Sequence, residues 1–255
     1  MPKAAPKSNK IASELIDVLR AKTKIDEFTF RKYLRDIDRL NDRFSEDYLK
    51  ALAFAARGHK DDAVQFFESS LSCGVDTYAT NYAIYLSEVG THKELRDLVK
   101  RLISKYGSKT MLTFGWETNL FTGNIETALY YADRFIAIAD EKDAEAMKND
   151  AYGIAIESEK FRNKSGLTED EYKDITQRMV DVADNYGVRA SSISFYFVPE
   201  EKTAAYILTL KTDDVDLIAD MNIDIAFSLA ENESLAGKRF SVWYRGTQGD
   251  ANACN

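Results

Sequence analysis

The chain contains the stretch Gly58-His59-Lys60-Asp61-Asp62-Ala63-Val64-Gln65-Phe66-Phe67, which has the pattern of a turn followed by an amphipathic helix. Two later stretches share its frame, Gly90-Thr91-His92-Lys93-Glu94-Leu95-Arg96-Asp97-Leu98-Val99 and Gly123-Asn124-Ile125-Glu126-Thr127-Ala128-Leu129-Tyr130-Tyr131-Ala132. The three glycines lie 32 and 33 residues apart, and a period of this length is typical of stacked helical hairpins. Each glycine also follows a run with helical apolar spacing, so we expect it to adopt the positive φ that ends a helix.

The same period predicts further hairpins on both sides of these three. Towards the amino terminus it places a turn near Lys24-Ile25-Asp26, preceded by a helix over about residues 9–22 and followed by a second helix. Towards the carboxy terminus it predicts a helix over about residues 143–162, an interruption at 162–166 and a helix from Thr168 to Asn185. This last helix begins with a capping box, in which the Thr168 hydroxyl and the Glu171 carboxylate accept from the free amides of the helix start.

After Gly187 the apolar pattern changes from helical spacing to strands rich in β-branched and aromatic residues. The predicted elements are strands over 192–198 and 204–210 joined by a turn at Pro199-Glu200-Glu201-Lys202, a helix over about 213–233 and a strand over 239–244. We expect the helix to bury the face formed by Val215, Ile218, Ala219, Asn222, Ile225, Ala226 and Leu229. These elements make a small β-β-α-β module, which we expect to pack on the last helical hairpin or on another subunit.

The predicted fold class is therefore mainly α, an α-solenoid of helical hairpins followed by a small α+β module. The predicted division of the chain is a disordered start at 1–9, a helical-repeat domain at 10–187, the β-β-α-β module at 188–246 and a flexible tail at 247–255.

One part of this pattern resembles a known family. The run Arg57-Gly58-His59-Lys60-Asp61-Asp62-Ala63-Val64-Gln65-Phe66-Phe67-Glu68-Ser69-Ser70-Leu71 is similar to the turn and second helix of tetratricopeptide repeats, and the similarity is clearest over residues 44–142. Ala51 and Ala83 occupy the small-residue position of the first helix, but Trp116 fills it in the third repeat, and the common proline at the repeat end is missing. The resemblance implies degenerate repeats of that kind.

Composition restricts the classes of partner and compartment. The 255 residues carry a net charge of −8, so nucleic acid is not the expected partner of the whole molecule. No window is apolar enough to span a membrane, and the basic amino-terminal segment lacks the apolar stretch of a secretory signal. Cys73 and Cys254 are the only cysteines, which suits a reducing compartment, so we expect a cytoplasmic protein.

The sequence carries no pattern of a catalytic, metal or cofactor site. His59 and His92 are the only histidines, and both are predicted to be surface residues of the turns. Neither has a cysteine or carboxylate at a spacing that would complete a metal site or a nucleophilic triad. No glycine-rich phosphate loop is present. We therefore predict no catalytic residue and no cofactor, and we do not expect an enzyme.

The main alternative is a nucleic-acid-processing or metal-dependent enzyme. Asp216, Asp220 and Asp224 recur at i, i+4 and i+8, so their carboxylates would share one helical face, as a divalent metal requires. A simpler interpretation is that Asp213 or Asp214 caps the helix and the others form its solvated side. Asn222, on the predicted apolar face, would satisfy a strand-edge backbone group or contact a partner.

Stacked hairpins present a concave surface lined by the first helix of each pair, and such surfaces bind peptides or proteins far more often than they catalyse reactions. The glycine alignment places there, as candidate partner-binding residues, Tyr48, Leu52, Thr80, Ile84, Phe114 and Glu117. Tyr48 and Phe114 are the candidate anchors, although the same rings could pack between adjacent hairpins. Trp243 is a further candidate, which could cover the core or an interface or, less favoured, stack on nucleic-acid bases.

These observations favour a cytoplasmic adaptor or regulatory protein that recognises a peptide or protein partner on its helical-repeat surface. The carboxy-terminal module would mediate self-association, making a homo-oligomer, or a second contact. An exposed strand edge in the module would permit a sheet to extend across subunits.

Overall fold

The computed structural model describes residues 7–198 and 203–247, and the chain divides into two compact units, Met1–Val89 and Gly90–Asn255. The predicted turn at 199–202, residues 1–6 of the predicted start, the tail beyond Thr247 and Cys254 lie outside the described residues. A mainly helical chain followed by a small three-stranded sheet confirms the predicted fold class.

The first unit is entirely helical in its described part. Its helices are α1 (Lys7–Arg20), α2 (Glu27–Asp38), α3 (Glu46–Arg57), α4 (Lys60–Ser70) and α5 (Asp76–Val89). The predicted amino-terminal hairpin is confirmed, and the side chain of Asp26 caps α2 by accepting from the Thr29 amide at 2.7 Å. The two helices of the next hairpin, α3 and α4, bury a core of small and aromatic side chains that includes Ala56, Ala63 and Phe67.

Two of the three repeated glycines have the predicted geometry. Gly58 and Gly123 have φ of 86° and 71°, the left-handed conformation expected at a helix end. The helix after Gly90 begins with a capping box, in which Thr91 and Glu94 each accept from the other's main-chain amide. This box fixes the start of the helix at His92.

The second unit contains six α-helices and three strands within its described residues. They are α6 (His92–Leu102), α7 (Lys109–Leu120), α8 (Ile125–Ile138), α9 (Glu141–Ser165), α10 (Glu169–Asn185), β1 (Ala190–Val198), β2 (Thr203–Leu210), α11 (Val215–Ala230) and β3 (Phe240–Gly246). The interruption predicted at 162–166 is shorter than expected, because α9 continues to Ser165 and only then ends at Gly166, with φ 69°. The capping box at Thr168 is confirmed.

The sheet has the order β1-β2-β3, with β2 in the middle. β1 and β2 are antiparallel, whereas β3 lies parallel to β2 because α11 carries the chain back across the sheet. In the register, Tyr206 of β2 lies between Phe195 of β1 and Val242 of β3. Alternate residues of each strand therefore share one face of the sheet.

One face of the sheet packs on the helices. Its buried side chains form a single core with residues of α9, α10 and α11, among them Phe161, Tyr172, Met179, Tyr206 and Met221. The hydroxyl of Tyr244 on β3 donates to the main-chain oxygen of Met179 on α10 at 2.7 Å. The β-β-α-β module thus packs on the last helical hairpin, the first of the two arrangements expected from the sequence.

Candidate protein-interaction surface

Helix α11 is apolar on its exposed side. Only Met221 and Ile225 are fully buried, although most of the helix is apolar. Val215, Ile223 and Phe227 leave 75%, 54% and 69% of their surface exposed. With the exposed Ala219, Ala226 and Ala230 they form the apolar stripe, whose members are three or four residues apart and therefore neighbours on the helix surface.

A groove between α11 and β3 continues this stripe. It has a volume of about 750 Å³. Most of its lining is apolar, from Ala226, Leu229, Ala230, Leu235, Ala236, Phe240 and Val242, with Asn232, Glu233 and Ser241 as the polar members. Because Ala226 and Ala230 belong to both, the stripe and the groove are one continuous surface, which we call the α11 surface.

Hydrogen bonds from Arg178 and Tyr186 hold α11 in place beneath this surface. The guanidinium of Arg178 on α10 donates to the Ser228 carbonyl at 3.0 Å and to the Ser228 hydroxyl at 3.1 Å. The hydroxyl of Tyr186 donates to the Asp224 carboxylate at 2.8 Å. At the start of the helix, Asp214 accepts from the Leu217 amide, as the capping interpretation predicted. The exposed apolar residues therefore belong to an anchored helix.

Asn222 fastens the other side of α11 to the edge of the sheet. Its side-chain oxygen accepts from the Tyr244 amide at 2.7 Å, and its side-chain nitrogen donates to the Tyr244 carbonyl at 3.2 Å. This confirms that Asn222 satisfies a strand-edge backbone group, the first of its two predicted roles. Since both main-chain groups of Tyr244 are occupied, β3 cannot pair with another strand at this residue.

A row of carboxylates borders the α11 surface on the side away from the groove. Asp216, Asp220 and Asp224 are exposed, and none of them forms an ion pair within residues 7–198 and 203–247. Asp224 raises the pKa of the Tyr186 hydroxyl that donates to it. Across the described part of the chain, no group of three or more His, Cys, Asp or Glu side chains could hold a metal ion. The metal-dependent alternative therefore gains no geometric support from this row.

Two of the four candidate residues of the first unit are part of its core. Tyr48 and Leu52 are buried, and the Tyr48 ring stacks on the ring of Tyr78 with centroids 3.9 Å apart. Burial raises the pKa of the Tyr48 hydroxyl, although the side chain of Asn81, which donates to it, acts in the opposite direction. These features fit packing between adjacent helices. Thr80 is half-buried and Ile84 is exposed, so of these candidates Ile84 offers the most surface to a partner.

The other three candidates lie in the second unit, two on α7 and one on β3. Phe114 and Glu117 are half-buried on α7. Burial raises the pKa of Glu117, although the nearby Lys211 and Arg189 favour its charged form. Trp243 is half-buried beside Ile207, on the sheet face opposite to the one that packs on the helices. At this position the Trp243 ring can cover that face of the sheet, which is the interpretation favoured from the sequence.

His92 is buried, so the prediction of a surface residue was wrong. Only 8% of its surface is exposed, and its Nε2 lies 3.1 Å from the carbonyl oxygen of Thr118. Burial lowers its pKa to about 4; the Thr118 carbonyl opposes this change and the Arg189 charge adds to it. The missed signal was the helix start at Thr91, which places His92 three residues before the buried Leu95. His59, in contrast, is exposed as predicted.

The exposed apolar residues of α11 were also missed. The predicted buried face includes Val215, Ala219 and Ala226, but all three are exposed, and Met221 lies in the core instead. Ile223 and Phe227 were not singled out, although a helix with apolar residues around most of its circumference predicts a second buried side.

Comparison with models of protein families, with curated proteins and with solved structures finds no match to this chain. In the described residues, no helix combines the length and the apolar character that crossing a membrane requires. The case for a function therefore rests on the geometry of the α11 surface, since a fold alone does not imply one.

Proposed function

We propose that this protein is an adaptor or regulatory protein that binds a protein partner, with the α11 surface as one of its contact sites. The observation that carries the proposal is the exposure of Val215, Ile223 and Phe227 on one side of an anchored helix. Complete burial of one such side chain contributes about 1.5–3 kcal/mol. A contiguous set of them beside an apolar groove is the usual composition of a protein contact site.

The helical hairpins supply a second possible contact. Their resemblance to tetratricopeptide repeats supports binding of a peptide, and Ile84 is exposed for such a role. The free thiol of Cys73 and the net charge of −8 are compatible with a cytoplasmic protein whose partner is not a nucleic acid.

The proposal is tested by affinity capture from a lysate of the native host, with the full chain and two variants as bait. Phe227→Asp places a charge in the middle of the α11 surface, and we expect it to abolish capture of the partner. Phe28→Asp is the matched control, because Phe28 is an equally exposed phenylalanine in the first unit. Identical sets of captured proteins for all three baits would contradict the proposal for this surface.

A further inference from the structure

We infer that the partner segment bound by the α11 surface is an amphipathic helix with Lys or Arg along one side, an inference that rests on the proposed function of that surface. Phe227 lies three residues after Asp224 and seven after Asp220, so the carboxylates directly border the most exposed aromatic ring of the stripe. On the other side of the stripe the groove opens towards β3. The surface is therefore apolar in the middle, with the carboxylate row along one edge and the single carboxylate of Glu233 in the lining of the groove.

The shape of the surface suits a helix. α11 has 16 residues, which corresponds to a length of about 24 Å. The small side chains of Ala219, Ala226 and Ala230 lie between the larger apolar ones. Packed helices lie about 8–10 Å apart between axes, and small side chains at the contact favour the shorter end of this range. A partner helix could place its apolar residues against the stripe and the groove along this whole length.

The charges beside the stripe determine which charges the partner helix should carry. The exposed carboxylates of Asp216, Asp220 and Asp224 form no ion pair with described residues, and the whole chain carries a net charge of −8. Cationic side chains on the partner would pair with the row, whereas an acidic helix or an anionic lipid surface would be repelled.

The same row disfavours a second copy of this chain as the occupant. If two α11 helices packed antiparallel about a two-fold axis, the acidic row of each would lie on the same side of the contact as that of its partner. Three carboxylates would then face three carboxylates. Like charges placed opposite each other oppose association, so a basic segment fits this surface better than α11 itself.

The experiment compares two synthetic helical peptides of about 16 residues, the length of α11. Both carry the same leucine stripe; one has lysines along one side and the other has glutamates at the same positions. Fluorescence anisotropy measures the affinity of each for the full chain. Three exposed ion pairs give the lysine peptide an expected advantage of about tenfold, which added salt should reduce.

Two variants separate charge from apolar contact. In the triple variant Asp216→Asn, Asp220→Asn, Asp224→Asn most of the preference for the lysine peptide should be lost, because the row supplies the three ion pairs. In Phe227→Asp neither peptide should bind well. The melting temperature of each variant, compared with that of the parent chain, verifies that it is folded.

The outcomes distinguish this inference from the proposed function. Equal binding of both peptides to the parent, lost in Phe227→Asp, would overturn the basic-helix inference and leave the α11 surface as a contact site. Binding of neither peptide, with lysate capture still dependent on Phe227, would overturn the inference in favour of another class of partner. A particle of twice 28.9 kDa in light scattering, reduced to one chain by Phe227→Asp, would show that a second copy occupies the surface.

Discussion

The burial of His92 makes the stability of the second unit depend on pH in a range where few other groups titrate. The imidazole is neutral in the folded chain because its pKa is lowered from 6.5 to about 4. In the unfolded chain His92 binds a proton near pH 6.5, so below this pH the unfolded state binds more protons than the folded state. The neutral His92 therefore costs no unfolding free energy above pH 6.5, and the unfolding free energy decreases as the pH falls towards 4.

The magnitude follows from the size of the shift. One pKa unit corresponds to 1.36 kcal/mol, so acidification from pH 6.5 to 5 removes about 2 kcal/mol of unfolding free energy, and acidification to pH 4 removes about 3 kcal/mol. A domain has a total stability of about 5–15 kcal/mol, so the loss is a substantial fraction. The carboxylates whose pKa is lowered, such as Asp140 with a pKa of about 2, change the stability only at lower pH.

Urea unfolding at pH 7, 6 and 5, followed by tryptophan fluorescence, measures this effect. Trp116 and Trp243 are the only tryptophans of the sequence and both lie in the second unit, so the signal reports that unit alone. His92→Gln is the control, because a glutamine side chain can donate to the Thr118 carbonyl but does not titrate. We expect the unfolding free energy of the parent to fall by about 2 kcal/mol relative to the variant between pH 7 and 5. Parallel curves for parent and variant would refute the reasoning.

Three further changes test the second unit by the same unfolding measurement. Glu117→Gln should increase stability at pH 7 and give no gain at pH 4. Burial raises the pKa of Glu117, and a carboxyl group with a raised pKa costs stability once it is ionised. An unchanged unfolding free energy at pH 7 would contradict this. Asn222→Leu should cost about 2 kcal/mol, since it leaves the Tyr244 amide and carbonyl without their partner, and a neutral effect would show that water replaces it. Gly123→Ala should lower the unfolding free energy more than Gly166→Ala, although both glycines have a positive φ. A Cβ at Gly123 would lie 2.6 Å from the Thr176 hydroxyl, whereas a Cβ at Gly166 would meet nothing within 4 Å. Equal losses of about 1 kcal/mol would mean that the φ angle alone matters.

Much of the fold could be predicted because local patterns carry it. The apolar spacing around Gly58 and Gly123 predicts two helices and a turn, and the capping box at Thr168 marks a helix start without any tertiary information. The end of α9 could not be placed as well, because the polar run before Gly166 continues the helix for one more turn than its composition suggests.

The candidate site was harder to predict, because a pattern shows that a residue is apolar but not what covers it. Tyr48 and Leu52 follow the spacing of a concave face, yet neighbouring helices bury them. Phe227 follows the spacing of a helix that is apolar on two sides, and only the packing of Met221 into the sheet shows which side stays open. His92 was misassigned for the opposite reason, since a turn residue can still point into a core.

The order of the sheet has a consequence for the synthesis of the chain. β2 is the central strand, and its neighbour β1 precedes it closely, but β3 begins only at Phe240, after the whole of α11. As the chain leaves the ribosome, the hairpin of β1 and β2 can form early, while the other edge of β2 stays without a partner until the last strand is made. The side chains of β2 from Ala204 to Leu210 are all buried in the finished sheet. An unpaired apolar strand invites association with other chains, so we expect aggregation to begin in the interval between formation of the β1–β2 hairpin and the pairing of β3 with β2.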